Sequence, residues 1–181
     1  MVIVTKLAVY PDKELKKYVL DYFDEMNISL EQIAAQAVEH QSKFIEGLTL
    51  EDGKKRLERI LNKREVLNAL AVAVQLDKLA NKGMLDEPLQ TLVANDAGTL
   101  GVDETMAISL AQLFGSISVT NYGSLDVHKS KEAKKLDDLQ KSGKKITVFI
   151  DDMVSALQAS VESSLAHIEQ KTDLIMCGDE Q

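Results

Sequence analysis

The 181-residue sequence contains little cysteine, proline, glycine or tryptophan. Its one cysteine, Cys177, excludes an intrachain disulfide and a cysteine-rich structural zinc site. Two prolines and nine glycines supply too few turn signals for an all-β sandwich, which joins many short strands. Because disulfides are rare in the reducing cytoplasm, the scarcity of cysteine leads us to expect a cytoplasmic protein.

Positive charge, aromatic side chains and long apolar runs are scarce as well. Lysine and arginine total 21 against 29 aspartate and glutamate residues, so the formal net charge is −8, and aromatic residues make up 4%. Nucleic-acid-binding proteins usually have a basic surface and stack bases on aromatic side chains, so we expect no nucleic-acid partner. No window of about 18 consecutive apolar residues occurs, which argues against a transmembrane helix.

Apolar residues recur with the spacing of amphipathic helices along nearly the whole chain. The segment 66–80 is apolar at eleven of its 15 positions, which is typical of a helix at the centre of a helical core. The sequence also predicts a last long helix with Thr147 as its N-cap, and the turn-forming residues at 120–126 predict a break between helices. We therefore predict an all-α fold in which residues 1–181 form a single compact multi-helix domain, with N-terminal helices over 12–61 packed on the rest.

Two pairs of adjacent acidic residues stand at the starts of predicted helices, Asp103 with Glu104 and Asp151 with Asp152. One explanation is that acidic side chains are favoured at helix N-termini, where they meet the positive end of the helix dipole. The other is a metal site, because carboxylates among apolar residues are costly unless they are paired or bind metal. Several converging carboxylates would suit Mg²⁺, an ion that commonly acts on phosphate. The spacing alone leaves both explanations open.

Lysines concentrate in the segment 129–145, where seven of them stand against three acidic residues and give a local net charge of +4. Because the whole chain carries −8, the rest of it sums to −12. Such a stretch is either a solvated helix face or a surface that attracts a phosphate or an anionic lipid headgroup.

Four segments resemble the phosphatidylglycerophosphatase A family, most closely its soluble branch, the low-temperature requirement C proteins. They read KREVLNALAVAVQLD (63–77), DAGTLGVDETMAISL (96–110), GSISVTNYGSLDVHK (115–129) and TVFIDDMVSALQAS (147–160). The second has an acidic pair after a glycine-containing loop, the third an Asp three residues before a Lys, and the fourth an Asp-Asp pair. The resemblance covers about 63–167, and the order and spacing of the segments make it specific.

The resemblance implies a Mg²⁺-dependent phosphatase that removes the terminal phosphate monoester from phosphatidylglycerophosphate or a related phosphorylated substrate. The metal-binding residues that it implies are Asp103, Glu104, Asp126, Asp151 and Asp152. It further implies catalytic roles for all of these except Asp151, and a contact of Lys129 with the substrate phosphate. The partner would be a phosphorylated lipid or a small phosphomonoester, with peripheral contact to anionic lipid at the inner face of the cell membrane.

A second hypothesis follows from what the family's membrane enzymes have and this sequence lacks. Those enzymes have a glycine- and threonine-rich motif near the N-terminus and hydrophobic spans, and neither has a counterpart here. The alternative is therefore a non-catalytic helical protein, a homo-oligomer, that retains the acidic pocket for a metal or another ligand.

Overall fold

A computed structural model describes residues 9–98 and 100–176, with side chains up to His167, so Cys177 lies outside the described residues. Within these ranges the chain forms nine α-helices and no strand, and the predicted all-α fold is confirmed. In chain order they are α1 (Asp12–Glu25), α2 (Leu30–Gln41), α3 (Leu50–Ile60), α4 (Arg64–Asn81), α5 (Leu89–Ala94), α6 (Val102–Gln112), α7 (Ser116–Val127), α8 (Lys131–Lys141) and α9 (Val148–Met176).

Helix α9 occupies the centre of the fold. Helices α2, α3, α4, α6, α7 and α8 all pack against it, whereas α1 packs on α4. All residues from 148 to 163 are buried, and these include the polar side chains of Ser155, Ser160 and Glu162. Over these residues α9 has neighbours on every side and no solvent face, so its polar residues are buried together with its apolar ones.

The segment that we predicted to be the central helix, 66–80, lies within α4 but is not at the centre. Its Leu70 is fully buried, as the apolar pattern indicates, whereas Val72 is 50% exposed. Helix α4 therefore has one solvent face, and the central position belongs to α9. The apolar pattern pointed to α4 because α9 is interrupted by serine, glutamine and glutamate. Ser155 and Ser160 donate to carbonyls of α9 itself, and Glu162 accepts from Asn121 of α7, so these polar residues can be buried.

Leu70→Ala should lower the free energy of unfolding by roughly 2–5 kcal/mol, because the fully buried side chain leaves a cavity. Denaturant unfolding of the purified protein measures the effect. Val72→Ala, at the half-exposed position of the same helix, is the matched control and should change the free energy by less than about 1 kcal/mol. Equal losses in the two variants would contradict the burial pattern of α4.

The break that we predicted at 120–126 is wrong, because these residues belong to helix α7. Ser118, Tyr122 and Leu125 recur at helical spacing and are buried, and the Ser118 hydroxyl lies 3.3 Å from that of Ser160 on α9. The turn between α6 and α7 lies earlier, at Gly115, whose φ of +84° suits glycine alone. Burial against α9 therefore overrides the turn-like composition of the segment.

No helix in the part of the chain that the structure describes combines the length and the apolar character that crossing a membrane requires.

Candidate acidic site

Three helices bring the sequence-predicted carboxylates to one place. Asp103 and Glu104 lie in the first turn of α6, Asp126 lies near the end of α7, and Asp151 and Asp152 lie in the first turns of α9. Oxygen atoms of Asp103, Glu104 and Asp152 lie within 4.8 Å of one another. We call these five acids, together with Lys129, the acidic site.

Lys129 joins the remaining acids of the site. Its Nζ donates hydrogen bonds to Asp151 Oδ2 at 2.7 Å and to Asp152 Oδ1 at 3.1 Å, and it lies 3.7 Å from Asp126 Oδ1. Burial disfavours the charged amine, but the charges of Asp151 and Asp152 outweigh it and raise the pKa of Lys129. The side chain is therefore a fixed positive charge among carboxylates.

The backbone at the start of α6 explains why its two acids point inward. Gly101 precedes the helix with a left-handed φ of +62°, a conformation that glycine adopts without strain. The turn leaves Val102 half exposed and directs Asp103 into the site, where its side chain is buried. Acids in a first helical turn are also favoured by the helix dipole, so both explanations of the pair apply.

Burial keeps part of the site protonated at neutral pH. It raises the pKa of Asp103 to about 7, with a further contribution from the adjacent Glu104 carboxylate, with which a protonated Asp103 would share its proton, and this sharing lowers the pKa of Glu104. Burial and the charge of Asp151 raise the pKa of Asp152 to about 7. Burial also raises the pKa of Asp151 to about 6, against the opposing effect of Lys129. One lysine thus supplies too little positive charge to ionise Asp103, Asp151 and Asp152 fully at neutral pH.

Three carboxylates of the site offer oxygen ligands to a cation. Asp103 Oδ1 and Glu104 Oε2 are buried and accept no hydrogen bond, although buried carboxylate oxygens are normally paired. The donors at this position are all carboxylate oxygens, which suit a hard cation such as Mg²⁺. Within the described residues, Asp103, Glu104 and Asp152 are the group whose geometry fits such an ion.

Asp77 supports the site from α4, and we did not identify it from the sequence. It is fully buried, and its two carboxylate oxygens accept hydrogen bonds from the backbone N–H groups of Phe149 and Ile150 at 3.2 and 3.0 Å. Burial raises the pKa of Asp77 well above its ordinary value, although the two N–H groups lower it. Its signal in the sequence is an aspartate within the segment 66–80, which is apolar at eleven of its 15 positions.

Thr147 directly precedes α9 at the predicted N-cap position, and its carbonyl accepts from the Asp151 N–H at 3.2 Å, but its side chain has a different role. Its hydroxyl donates to the carbonyl of Leu136 at 2.8 Å and so ties α9 to α8. Asp77 accepts from the first N–H groups of α9 instead, which fixes the turn that carries Asp151 and Asp152.

Asp77→Ala should lower the free energy of unfolding by roughly 2–4 kcal/mol, because two buried N–H groups lose their acceptor. Since the same turn carries Asp151 and Asp152, the affinity of the Asp77→Ala variant for Mg²⁺ should fall as well. Denaturant unfolding and a Mg²⁺ titration measure the two effects. Asp77→Asn retains one acceptor oxygen, so its free energy of unfolding and its Mg²⁺ affinity should both fall less than those of Asp77→Ala. Equal losses in the two variants would contradict the role of Asp77 as the cap of α9.

Tyr122 on α7 is a second residue that the sequence analysis missed, because we predicted a break there. Its hydroxyl is buried without a hydrogen-bond partner. Burial raises the pKa of Tyr122, and the charges of Asp152, Asp126 and Glu104 add to the effect.

The sequence is similar to a protein-family model and to proteins of Bacillus subtilis. The family model described as phosphatidylglycerophosphatase A matches residues 32–167. Uncharacterized protein YutG of Bacillus subtilis (strain 168) is 38% identical over 149 residues, which are 82% of this chain and 89% of that protein.

Two crystal structures resemble the whole fold. Protein ypjQ from Bacillus subtilis has a TM-score of 0.82 and 36% identity, over 90% of this chain and 99% of that one. The low temperature requirement C protein from Listeria monocytogenes has a TM-score of 0.79 and 37% identity, over 86% of this chain and 97% of that one. Because the family model spans most of the sequence and includes every residue of the acidic site, the chain belongs to the phosphatidylglycerophosphatase A family.

Proposed function

We propose that the protein is a Mg²⁺-dependent phosphatase that hydrolyses a terminal phosphate monoester. The observation that carries the proposal is the pair of buried, unpartnered carboxylate oxygens on Asp103 and Glu104, beside Asp152, in a chain of this family. Ionised oxygens of this kind are costly in a folded protein unless a cation binds them, and near neutral pH a proton is the competitor of the cation.

Asp103, Glu104 and Asp152 would hold the ion. When bound, Mg²⁺ supplies a Lewis acid that polarises the phosphoryl group and neutralises its charge. Lys129 keeps its proton because the pKa is raised, so its ammonium can donate to the phosphate oxygens as negative charge develops on them. Since Asp103 and Asp152 have pKa values of about 7, binding of the ion would release protons from them near neutral pH.

Asp126 is the most exposed acid in contact with Lys129, with 35% of its side chain accessible, compared with 10% for Asp151 and 6% for Asp152. Its position at the rim suits contact with the attacking water. In the reaction the water oxygen forms a bond to phosphorus, a carboxylate accepts the water proton, and the bond from phosphorus to the alcohol oxygen breaks as that oxygen takes up a proton from solvent. Asp126 is the carboxylate to which we assign this acceptor role.

The test is phosphate release from a substrate panel with and without Mg²⁺. The panel contains phosphatidylglycerophosphate in detergent micelles, soluble phosphomonoesters and nucleotides. We expect release that requires Mg²⁺ and stops with a chelator. No release from any substrate, together with Mg²⁺-dependent stabilisation, would favour the non-catalytic metal-binding protein instead.

Access to a lipid substrate would depend on the lysine-rich segment 129–145. Lys134 pairs with Asp138 at 3.3 Å and Lys145 lies 3.8 Å from Glu25, and exposed pairs of this kind contribute little energy. These lysines can therefore exchange such partners for lipid phosphates at low cost. About 1 kcal/mol per lysine near an anionic surface gives weak docking that salt screens.

Replacing four lysines of this segment by glutamine should abolish binding to anionic vesicles and preserve hydrolysis of a soluble phosphomonoester, because none of the four belongs to the acidic site. The positions are Lys134, Lys135, Lys144 and Lys145. Co-sedimentation with vesicles at low and high salt measures binding. A control variant makes the same change in charge at exposed positions elsewhere, Lys13, Lys17, Lys55 and Lys82, and should still bind. Binding that persists in high salt, or that both variants lose equally, would contradict this assignment.

A further inference from the structure

Asp152 is shared by two groups of charges within the acidic site. With Asp103 and Glu104 it forms the group whose carboxylate oxygens lie within 4.8 Å of one another. Asp103 Oδ1, in this group, is buried and accepts no hydrogen bond. Asp152 Oδ1 also accepts a hydrogen bond from Lys129 Nζ at 3.1 Å. Because one carboxylate belongs to both groups, the ammonium of Lys129 lies next to the residues that we propose as ligands of Mg²⁺.

Acids from two helices hold Lys129 in this position. Asp126 on α7 precedes it by three residues, and its Oδ1 lies 3.7 Å from Lys129 Nζ. Asp151 and Asp152 on α9 accept hydrogen bonds from the same nitrogen at 2.7 and 3.1 Å. Only 20% of the lysine side chain is exposed, so carboxylate oxygens have replaced much of the water around the ammonium.

The three acids around Lys129 are spaced for an ammonium group and not for a metal ion. Mg²⁺ needs oxygen ligands at about 2.0–2.1 Å, whereas hydrogen bonds from nitrogen to oxygen are about 2.7–3.2 Å long. Within the described part of the chain, Asp126, Asp151 and Asp152 do not form a group with the spacing of a metal site. An ion would compete with the ammonium for the same oxygens, so the lysine keeps an ion away from them.

We propose that Lys129 takes the place of a second metal ion, so that the acidic site binds one divalent cation and not two. The inference rests on the proposed function, because it concerns the number of ions that the same site requires. Enzymes that hydrolyse phosphate esters with two ions hold them about 3.5–4 Å apart and so stabilise both the attacking and the leaving oxygen. Here one of the two cations is a side chain, and loading of the site is a single binding event.

The test is the number of Mn²⁺ ions that the full chain binds at saturation. Mn²⁺ prefers the same oxygen ligands as Mg²⁺, and electron paramagnetic resonance detects it. We expect one bound ion in the unmodified protein. Lys129→Ala should bind two, because removal of the ammonium frees its three acidic partners for a second ion. The spins of two neighbouring ions should couple and broaden the spectrum of this variant.

Two further variants serve as controls. Lys131→Ala removes the same charge at an exposed position two residues further along the chain and should bind one ion. Lys129→Ala combined with Asp126→Asn should also bind one ion, because the second position loses one of its three carboxylates.

The outcomes separate this inference from the proposed function. Two bound ions in the unmodified protein would overturn the inference even if Lys129→Ala fails to fold, and so would a single ion in folded Lys129→Ala. Either result would leave the proposed metal-dependent phosphatase in place. No bound ion in the unmodified protein would contradict the proposed function, and the inference with it.

Discussion

Asp152→Asn should lower Mg²⁺-dependent phosphate release by about 10³-fold or more. Asp152 is the one carboxylate that belongs both to the group around the expected ion and to the group around Lys129. A neutral amide weakens ion binding and leaves Lys129 with one fewer acidic partner. A loss of about 4 kcal/mol in transition-state stabilisation corresponds to this factor.

The measurement is the steady-state rate over a range of Mg²⁺ concentrations, for the best substrate of the panel. Asp21→Asn removes an exposed carboxylate that pairs with Lys17 at 2.6 Å, and as a control it should keep its activity. Asp103→Asn should lose activity as Asp152→Asn does, because both acids belong to the same group. Activity of Asp152→Asn within tenfold of the unmodified protein would place the reaction outside this site.

The metal-free protein should lose stability as the pH rises from about 4 to about 8. In the folded chain burial holds the pKa of both Asp103 and Asp152 at about 7, compared with an ordinary value of 3.8. Between these values the folded state binds more protons than the unfolded state, so each of these acids favours folding less as the pH rises. The contribution is complete below about pH 4 and is lost above about pH 7.

Each carboxyl whose pKa is raised this far contributes at most about 4 kcal/mol over the whole range. For a chain of this length the melting temperature should therefore fall on the order of 10 °C. Thermal unfolding at a series of pH values in a chelator measures it. Asp152→Asn has no titrating group at this position, so its melting temperature should fall less steeply with pH. An equal fall in the two proteins would contradict the raised pKa of Asp152.

Mg²⁺ should reverse this loss at high pH. The ion binds ionised carboxylates and competes with protons, so its stabilising effect should be larger at pH 8 than at pH 5. Asp152→Asn should show little of this stabilisation at either pH. An equal effect of Mg²⁺ on both proteins at both pH values would mean that the ion binds elsewhere.

Local pattern was enough to predict much of the helical structure. The spacing of apolar residues predicts the helix that the structure shows over Arg64–Asn81, including the burial of Leu70. The acidic pairs, with their positions relative to glycine-containing turns, indicate the residues that the fold assembles around Lys129. These features depend on neighbours in the chain, and the family resemblance adds the chemistry that they would perform.

Long-range packing decided what the local pattern did not. Helix α7 continues through the turn-like residues 120–126 because Tyr122 and Leu125 are buried, and α9 rather than α4 occupies the centre because six helices surround it. The sequence by itself determined the helical class and the acids of the site. Only the tertiary structure decided that Asp77 holds the first turn of α9 and that Asn121 of α7 donates to the buried Glu162 of α9. Each contact joins residues far apart in the chain, where no local pattern reports which partner compensates a buried charge.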